Sequence, residues 1–99
     1  MNPQNGTWSV GITGKARKNK DSLPPEILFA FMALFKALKQ DGPAQPRRRN
    51  FGKIEGQKNT WHCHLNSRRP TYVVVWKVLS KQEKRMEIIY VGTHENAPY

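Results

Sequence analysis

Apolar residues recur along this chain with two different periods, and the change between them marks out the elements. In "TWSVGIT", Trp8, Val10 and Ile12 alternate with polar or small positions, which is the period of a strand. In "LPPEILFAFMALFKALKQDGP", Ile27, Phe31, Leu34 and Leu38 recur at helical spacing and predict a stripe facing a core. Leu28, Met32 and Phe35 form a second stripe, so the helix is expected to bury more than one face. Pro25 suits the first helical position, where a missing N–H costs nothing, and Glu26 suits the positive helix start. Gly42 and Pro43 close the helix. "GKARKNKDS", ahead of it, is polar and predicts a short helix or turn.

The second half of the chain reads as strands. "AQPRRRN" is a loop by its prolines and charge. "FGKIEGQKNTWHCHL" is strand material with a turn near Gly56, and "NSRRP" is the next turn. "TYVVVWKVL" is β-branched and aromatic and predicts a central strand. "SKQEKR" turns the chain into a last strand, "MEIIYVGT", and "HENAPY" is a short tail. The order predicts an α+β fold, βααβββ, with helices packed on one face of a mainly antiparallel four-stranded sheet.

With 99 residues the chain fits one domain, residues 1–99. Its start lacks a charged segment followed by an apolar one, so no signal peptide is expected. The longest apolar run, "ILFAFMALF", falls well short of the roughly 20 residues that span a bilayer as a helix. One Cys excludes an intrachain disulfide and suits a reducing cytosol. These readings predict a cytoplasmic protein with no membrane partner.

Charge changes the picture most. Seventeen Lys and Arg against seven Asp and Glu give a formal net charge of +10, which favours polyanionic partners. "GKARKNK" carries Lys15, Arg17, Lys18 and Lys20. From Arg47 to Arg69 the cations are Arg47, Arg48, Arg49, Lys53, Lys58, Arg68 and Arg69, against the single acid Glu55. Phe51 and Trp61 sit among them, and cations interleaved with flat rings suit RNA, because cations hold phosphates and rings stack on bases. The plainer reading of the same run is a solvated basic face.

"WHCHL" holds two of the three histidines and the only cysteine. On a regular strand His62 and His64 share one face and Cys63 points to the other. If Cys63 and Leu65 take the core side, both histidines face the open side. Zinc is a competing use of "HCH", but structural zinc needs about four ligands, commonly at CxxC or HxxxH spacing, and no second Cys exists. No metal and no small-molecule cofactor is expected. Cys63 is expected to be a small buried hydrophobe rather than a nucleophile.

The order of these segments, roughly from Trp8 to Tyr99, resembles the RelE/ParE superfamily of bacterial toxins from toxin–antitoxin pairs. "TGKARKNKDSLPPEI" is similar to that family's first helix and the start of its second. "KIEGQKNTWHCHL" is similar to its strand and basic loop, "TYVVVWKV" to its central strand, and "IIYVGTHENAPY" to its last strand and catalytic tail. Cys63-His64-Leu65 and Gly92-Thr93-His94 look most like the YafQ branch, whose members cleave mRNA on the ribosome with histidines. The resemblance implies catalytic roles for His64 and His94, and puts Tyr99 near the terminal aromatic of the tail and Tyr72 at the aromatic that begins the central strand. Thr71 stands where the family has an Asp, the turn "NSRRP" is longer, and "RRRNFGK" replaces a loop that carries a His.

Metal-free RNA cleavage needs a base for the 2′-OH, cations for the charge on phosphate, and an acid for the departing 5′-oxygen. Histidine serves either proton role near neutral pH, and a basic surrounding lowers its pKa toward the base-competent form. His94, closing a strand, and His64 are the expected acid–base pair, with Tyr99 as a third expected catalytic residue. His62 is read as a cross-strand neighbour without a role. Lys53, Arg68 and Arg69 are candidates for phosphate contact, Arg47, Arg48 and Arg49 for steering and positioning, and Tyr72 and Tyr99 for stacking. Trp8, Trp61 and Trp76 are assigned to packing. The expected function is a ribosome-dependent mRNA endonuclease whose partners are mRNA on the ribosome and an antitoxin protein. The alternatives are a ParE-like poison of a protein target such as DNA gyrase, and a non-catalytic RNA-binding module.

Overall fold

The computed structural model describes residues 7–99. Strand β1 (Ser9–Ile12) leads into helix α1 (Gly14–Lys20) and helix α2 (Pro25–Asp41). Four strands follow: β2 (Gly52–Lys53), β3 (Thr60–His64), β4 (Tyr72–Ser80) and β5 (Arg85–Thr93), and then a 3-10 turn, His94–Asn96. They form one five-stranded sheet in the order β1-β5-β4-β3-β2. β1 runs parallel to β5, and every other pairing is antiparallel. The α+β class and the element order match the expectation. The count of four strands does not: Gly52 and Lys53 pair with His62 and Trp61 as a fifth, two-residue edge strand. A strand that short carries no alternation of its own, so the sequence shows it only as part of a longer segment.

The helices form where their ends are satisfied. The Thr13 side chain accepts a hydrogen bond from Ala16 N–H at 3.2 Å and caps α1. α2 begins with Pro25 and Glu26 and ends at Gly42, whose φ of 91° needs glycine and whose N–H donates to the Leu38 carbonyl at 3.0 Å. Ile27, Phe31, Leu34 and Leu38 are its buried residues, as their spacing predicts. The second stripe is only half covered. Leu28 and Phe35 pack at the margin of the core, whereas Met32 is 50% exposed and Phe29 is 80% exposed. Among the described residues no helix is long and apolar enough to cross a membrane.

The core lies between α2 and one face of the sheet. Ala16, Phe31, Leu34 and Leu38 meet Cys63, Val74, Trp76, Met86, Ile88 and Val91 there. Each large side chain so buried contributes about 1.5–3 kcal/mol, and truncating Leu34 to Ala would cost about 2–5 kcal/mol. Trp76 donates its indole N–H to the Pro43 carbonyl at 3.1 Å, which ties the helix end to the sheet.

One irregularity decides which residues reach the other face. Val75 pairs with Tyr90, but Trp76 pairs with Ile88, so Ile89 is an extra residue in β5. Met86 and Ile88 point to the core before the bulge and Val91 does so after it. The shift of phase turns Tyr90 and Gly92 outward, opposite Val75 and Val73.

Candidate functional site

β3 separates its side chains as a half-buried strand should. Cys63 is fully buried in the core, and His62 and His64 stand on the open face. Their cross-strand partners are Val75 and Val73, which therefore share that face and are fully buried beneath it. The histidines thus rest on a small apolar floor. That floor explains why burial is the main cause that lowers the pKa of both rings below the ordinary histidine value. His94 lowers both further, and His62 and Arg49 add to the effect on His64. A hydrogen bond opposes the shift at His62. Its Nδ1 lies 3.0 Å from the Gly52 carbonyl oxygen, which can only accept, so Nδ1 carries the proton and Nε2 is left free.

The last strand delivers the third histidine. The His94 N–H donates to the Thr71 carbonyl at 2.7 Å, so the chain stays paired just past β5 and the ring is fixed at the end of the sheet. His64 and His94 meet edge to face with centroids 5.4 Å apart. The tail then folds back. Tyr99 lies 4.6 Å from the His62 ring and 5.8 Å from that of His94. Gln57 Nε2 donates to the Pro98 carbonyl at 2.9 Å and holds the tail there. Burial raises the Tyr99 hydroxyl pKa, with smaller contributions from Cys63 and Tyr90. Beside this cluster is an open cleft of about 380 Å³ lined by His64, Arg69, Pro70, Thr71, Thr93, His94 and Glu95.

The structure therefore brings His64, His94, Tyr99 and Arg69 together. Arg49 is adjacent, because its carbonyl accepts from His64 N–H at 2.8 Å and its charge acts on that ring. Arg68 is exposed in the same turn as Arg69 but does not line the cleft. Lys53 is not brought in: it pairs with Trp61, and that register directs it to the face opposite His62 and His64. Tyr72 is not brought in either, since it lines a different cleft against α1. Arg48 leans toward α2, its guanidinium donating to the Ala33 carbonyl at 3.4 Å. Phe51 stacks on Trp61 and Trp76 at 5.5 and 6.1 Å, so these rings are committed to packing rather than open to bases.

Three neighbours escaped the sequence reading. His62, read as having no role, contacts both Tyr99 and His64; its spacing of two from His64 was the available signal. Gln57 and Glu95 left no signal, because only folding places them at the tail and the cleft. Cys63 has its pKa raised to about 12 by burial, so its thiol stays protonated and is no nucleophile. Among the described residues no group of three or more His, Cys, Asp or Glu is disposed to hold a metal ion.

No family model matches this sequence, and no curated protein does. Solved structures do. A chain of the archaeal RelE–RelB complex from Pyrococcus horikoshii matches with a TM-score of 0.72 at 22% identity, over 92% of this chain and 99% of that one. A mutant of the E. coli toxin RelE in the free state matches with a TM-score of 0.70 at 14% identity, over 92% and 87%. The YoeB dimer from Staphylococcus aureus gives 0.69 at 11% identity, over 89% and 98%. The chain has the fold of the RelE and YoeB toxins, as the resemblance in its sequence implied.

Proposed function

We propose that this protein is the toxin of a toxin–antitoxin pair and that it inhibits translation, in the cytoplasm, by cutting mRNA on the ribosome. The observation that carries the reading is the pair His64 and His94, 5.4 Å apart on the open face of this fold, with Arg69 lining the same cleft. Both rings line that cleft, so a phosphodiester bound there meets both.

His64 is depressed in pKa and therefore neutral near pH 7, which suits it to take the proton from a ribose 2′-OH. The 2′-oxygen attacks the adjacent phosphorus, and the bond to the 5′-oxygen breaks. His94 supplies the proton that this leaving oxygen needs. The products are a 2′,3′-cyclic phosphate and a free 5′-OH. Arg69 faces the phosphate oxygens on which charge gathers, and Arg68 and Arg49 add to the positive field that draws the chain in. Tyr99 packs on His62 and stands edge-on to His94, where it fixes the imidazoles or stacks on a base. As written, the reaction needs neither a metal nor a small-molecule cofactor.

An antitoxin partner is supported by the likeness to chains of toxin–antitoxin complexes, the intact E. coli RelBE complex among them. An acidic protein is the chemistry that fits a chain of net charge +10.

The test is primer extension on a defined mRNA in a reconstituted translation system. The reading expects new cuts inside the translated frame that require ribosomes. It expects His94→Ala, shown to be folded, to lower their rate by roughly 10²–10⁴-fold. Unimpaired translation without cuts would overturn it in favour of a gyrase-type poison or an inert binding module.

A further inference from the structure

The histidine cleft has a neighbour. Across Thr93, which lines both, is a second cleft of about 330 Å³ between α1 and the ends of β4 and β5. Its walls are Lys15, Asn19 and Ser22 on and after α1, Tyr72 and Tyr90 from the sheet, and Asn96 from the tail. Part of this wall is fixed. Tyr90 donates its hydroxyl to the Thr93 carbonyl at 2.7 Å, and Asn96 Nδ2 donates to Thr93 Oγ1 at 3.3 Å. The rest is unused. Among the described residues, the ammonium of Lys15, the amide of Asn19 and the hydroxyl of Ser22 have no hydrogen-bond or ion-pair partner.

Two aromatic rings with a free amide, a free hydroxyl and a free ammonium form a specific combination. Rings stack on the faces of bases, an amide matches the donor and acceptor edge of a base, and an ammonium meets a phosphate as a point charge. The volume lies at the small end of ligand sites and suits one nucleotide rather than a folded RNA. We infer that this cleft is a nucleobase subsite, in which Tyr72 stacks on the base, Asn19 reads its edge and Lys15 holds the adjoining phosphate. The inference rests on the endonuclease reading for its substrate class. It adds that RNA runs from the histidines past Thr93 to α1, and that part of the sequence preference is set here.

The placement also gives a use to two sequence features the catalytic cleft leaves aside. Tyr72, the aromatic that opens the central strand, faces this cleft and not the histidines. The basic run "GKARKNK" forms α1, and Lys15 and Asn19 from that run line the subsite.

The test uses the whole protein and a short RNA carrying a 2′-O-methyl group at every ribose, which binds but cannot be cut. Amide and side-chain NMR shifts are mapped as the RNA is added. Shifts at Lys15, Asn19, Tyr72 and Asn96, together with those at His64 and His94, are expected. Tyr72→Leu should weaken binding by roughly tenfold, the size expected of one lost base stack, and Tyr72→Phe should restore it. Asn19→Ala, at a half-buried position of α1, should change the ranking of RNAs that differ at one base. Shifts confined to the histidine cleft, or unchanged binding and ranking in these variants, would overturn the subsite and leave the endonuclease reading standing. Shifts in both clefts without any cut during translation would support the subsite and overturn the endonuclease.

Discussion

Gly92, in the word Gly92-Thr93-His94, should be sensitive to even a methyl group, and the reason is one tyrosine. A Cβ at this position would lie 2.6 Å from Tyr90 Oη and 2.9 Å from Tyr90 Cζ. Both separations fall well inside the optimal contact distance of about 3.5–4.0 Å. The backbone of Gly92 is not in the left-handed region, so alanine brings no strain of its own. The Tyr90 ring must swing away, and its hydrogen bond to the Thr93 carbonyl is lost. That bond contributes about 1 kcal/mol, and an off-rotamer ring costs about 0.5–1.5 kcal/mol. Gly92→Ala is therefore expected to destabilise the chain by about 2 kcal/mol, a fall in Tm of roughly 8–16 °C for a domain of this size. Urea or thermal unfolding, run as a double-mutant cycle with Tyr90→Leu, isolates the cause. With Tyr90 gone, the same glycine substitution should cost no more than about 0.5 kcal/mol, or even stabilise by restricting the unfolded chain. An equal loss in both backgrounds, or no loss with Tyr90 present, would refute the argument. His94 lies two residues on, so the first variant should also cut more slowly than its stability alone explains.

Four further outcomes are expected. His62 and His64 have folded pKa values below the usual 6.5, so they stay neutral in the folded chain where the unfolded chain is already protonated. The stability this gives is complete above about pH 6.5 and drains away as pH falls through the folded values; thermal unfolding at a series of pH values reads it, and a Tm that rises on acidification would contradict it. The rising limb of the cleavage rate against pH should likewise have its midpoint below that of free histidine. Gln57→Ala and Gln57→Glu both remove the donor to the Pro98 carbonyl, so each should weaken the proton–proton NOE between Tyr99 and His62 and slow cleavage, by less than Tyr99→Ala does. An undiminished NOE would show that the tail needs no such hold. Cys63, fully buried and with its pKa raised to about 12, should resist iodoacetamide in the native protein and react at once in urea. Rapid native labelling would place it on the surface.

Much of this arrangement was legible in the residues, for reasons that differ from element to element. The buried stripe of α2 follows from a helical period that only one packing satisfies, so Ile27, Phe31, Leu34 and Leu38 could be named in advance. The outward histidines follow from alternation in β3 once Cys63 is put inside. What was not legible depends on events without a local sequence sign. The bulge at Ile89 reverses the facing of Tyr90 and Gly92, and a regular strand would have put both in the core. Lys53 looked like a phosphate contact because it is basic and near the histidines in sequence. Its register with Trp61 turns it away. The exposed Phe29 fits neither helical stripe, and no periodicity announces it.

The site and the core are set by the same register. His62 and His64 face outward because Cys63, Val74 and Trp76 face inward, in strands whose partners are fixed residue by residue. A slip of one residue in β3 would bury both imidazoles against α2 and expose the thiol. Such a slip would desolvate two rings without new partners while removing Cys63 from the core, so the core opposes it. β5 needs the opposite device, because its last residues must serve both faces: Val91 fills the core while Tyr90 and Gly92 bound the cleft against α1. Bulging Ile89 out of the ladder meets both demands, because its regular pairing would turn Tyr90 inward and Val91 outward. It keeps Ile88 and Val91 inside and carries the strand on so that Thr93 separates the two clefts and His94 meets His64. Substitutions that preserve the inward set should thus leave the histidine geometry intact. Deleting Ile89 should also keep it, because Tyr90 then follows Ile88 directly and stays on the outer face while Val91 stays in the core, with every other partner unchanged.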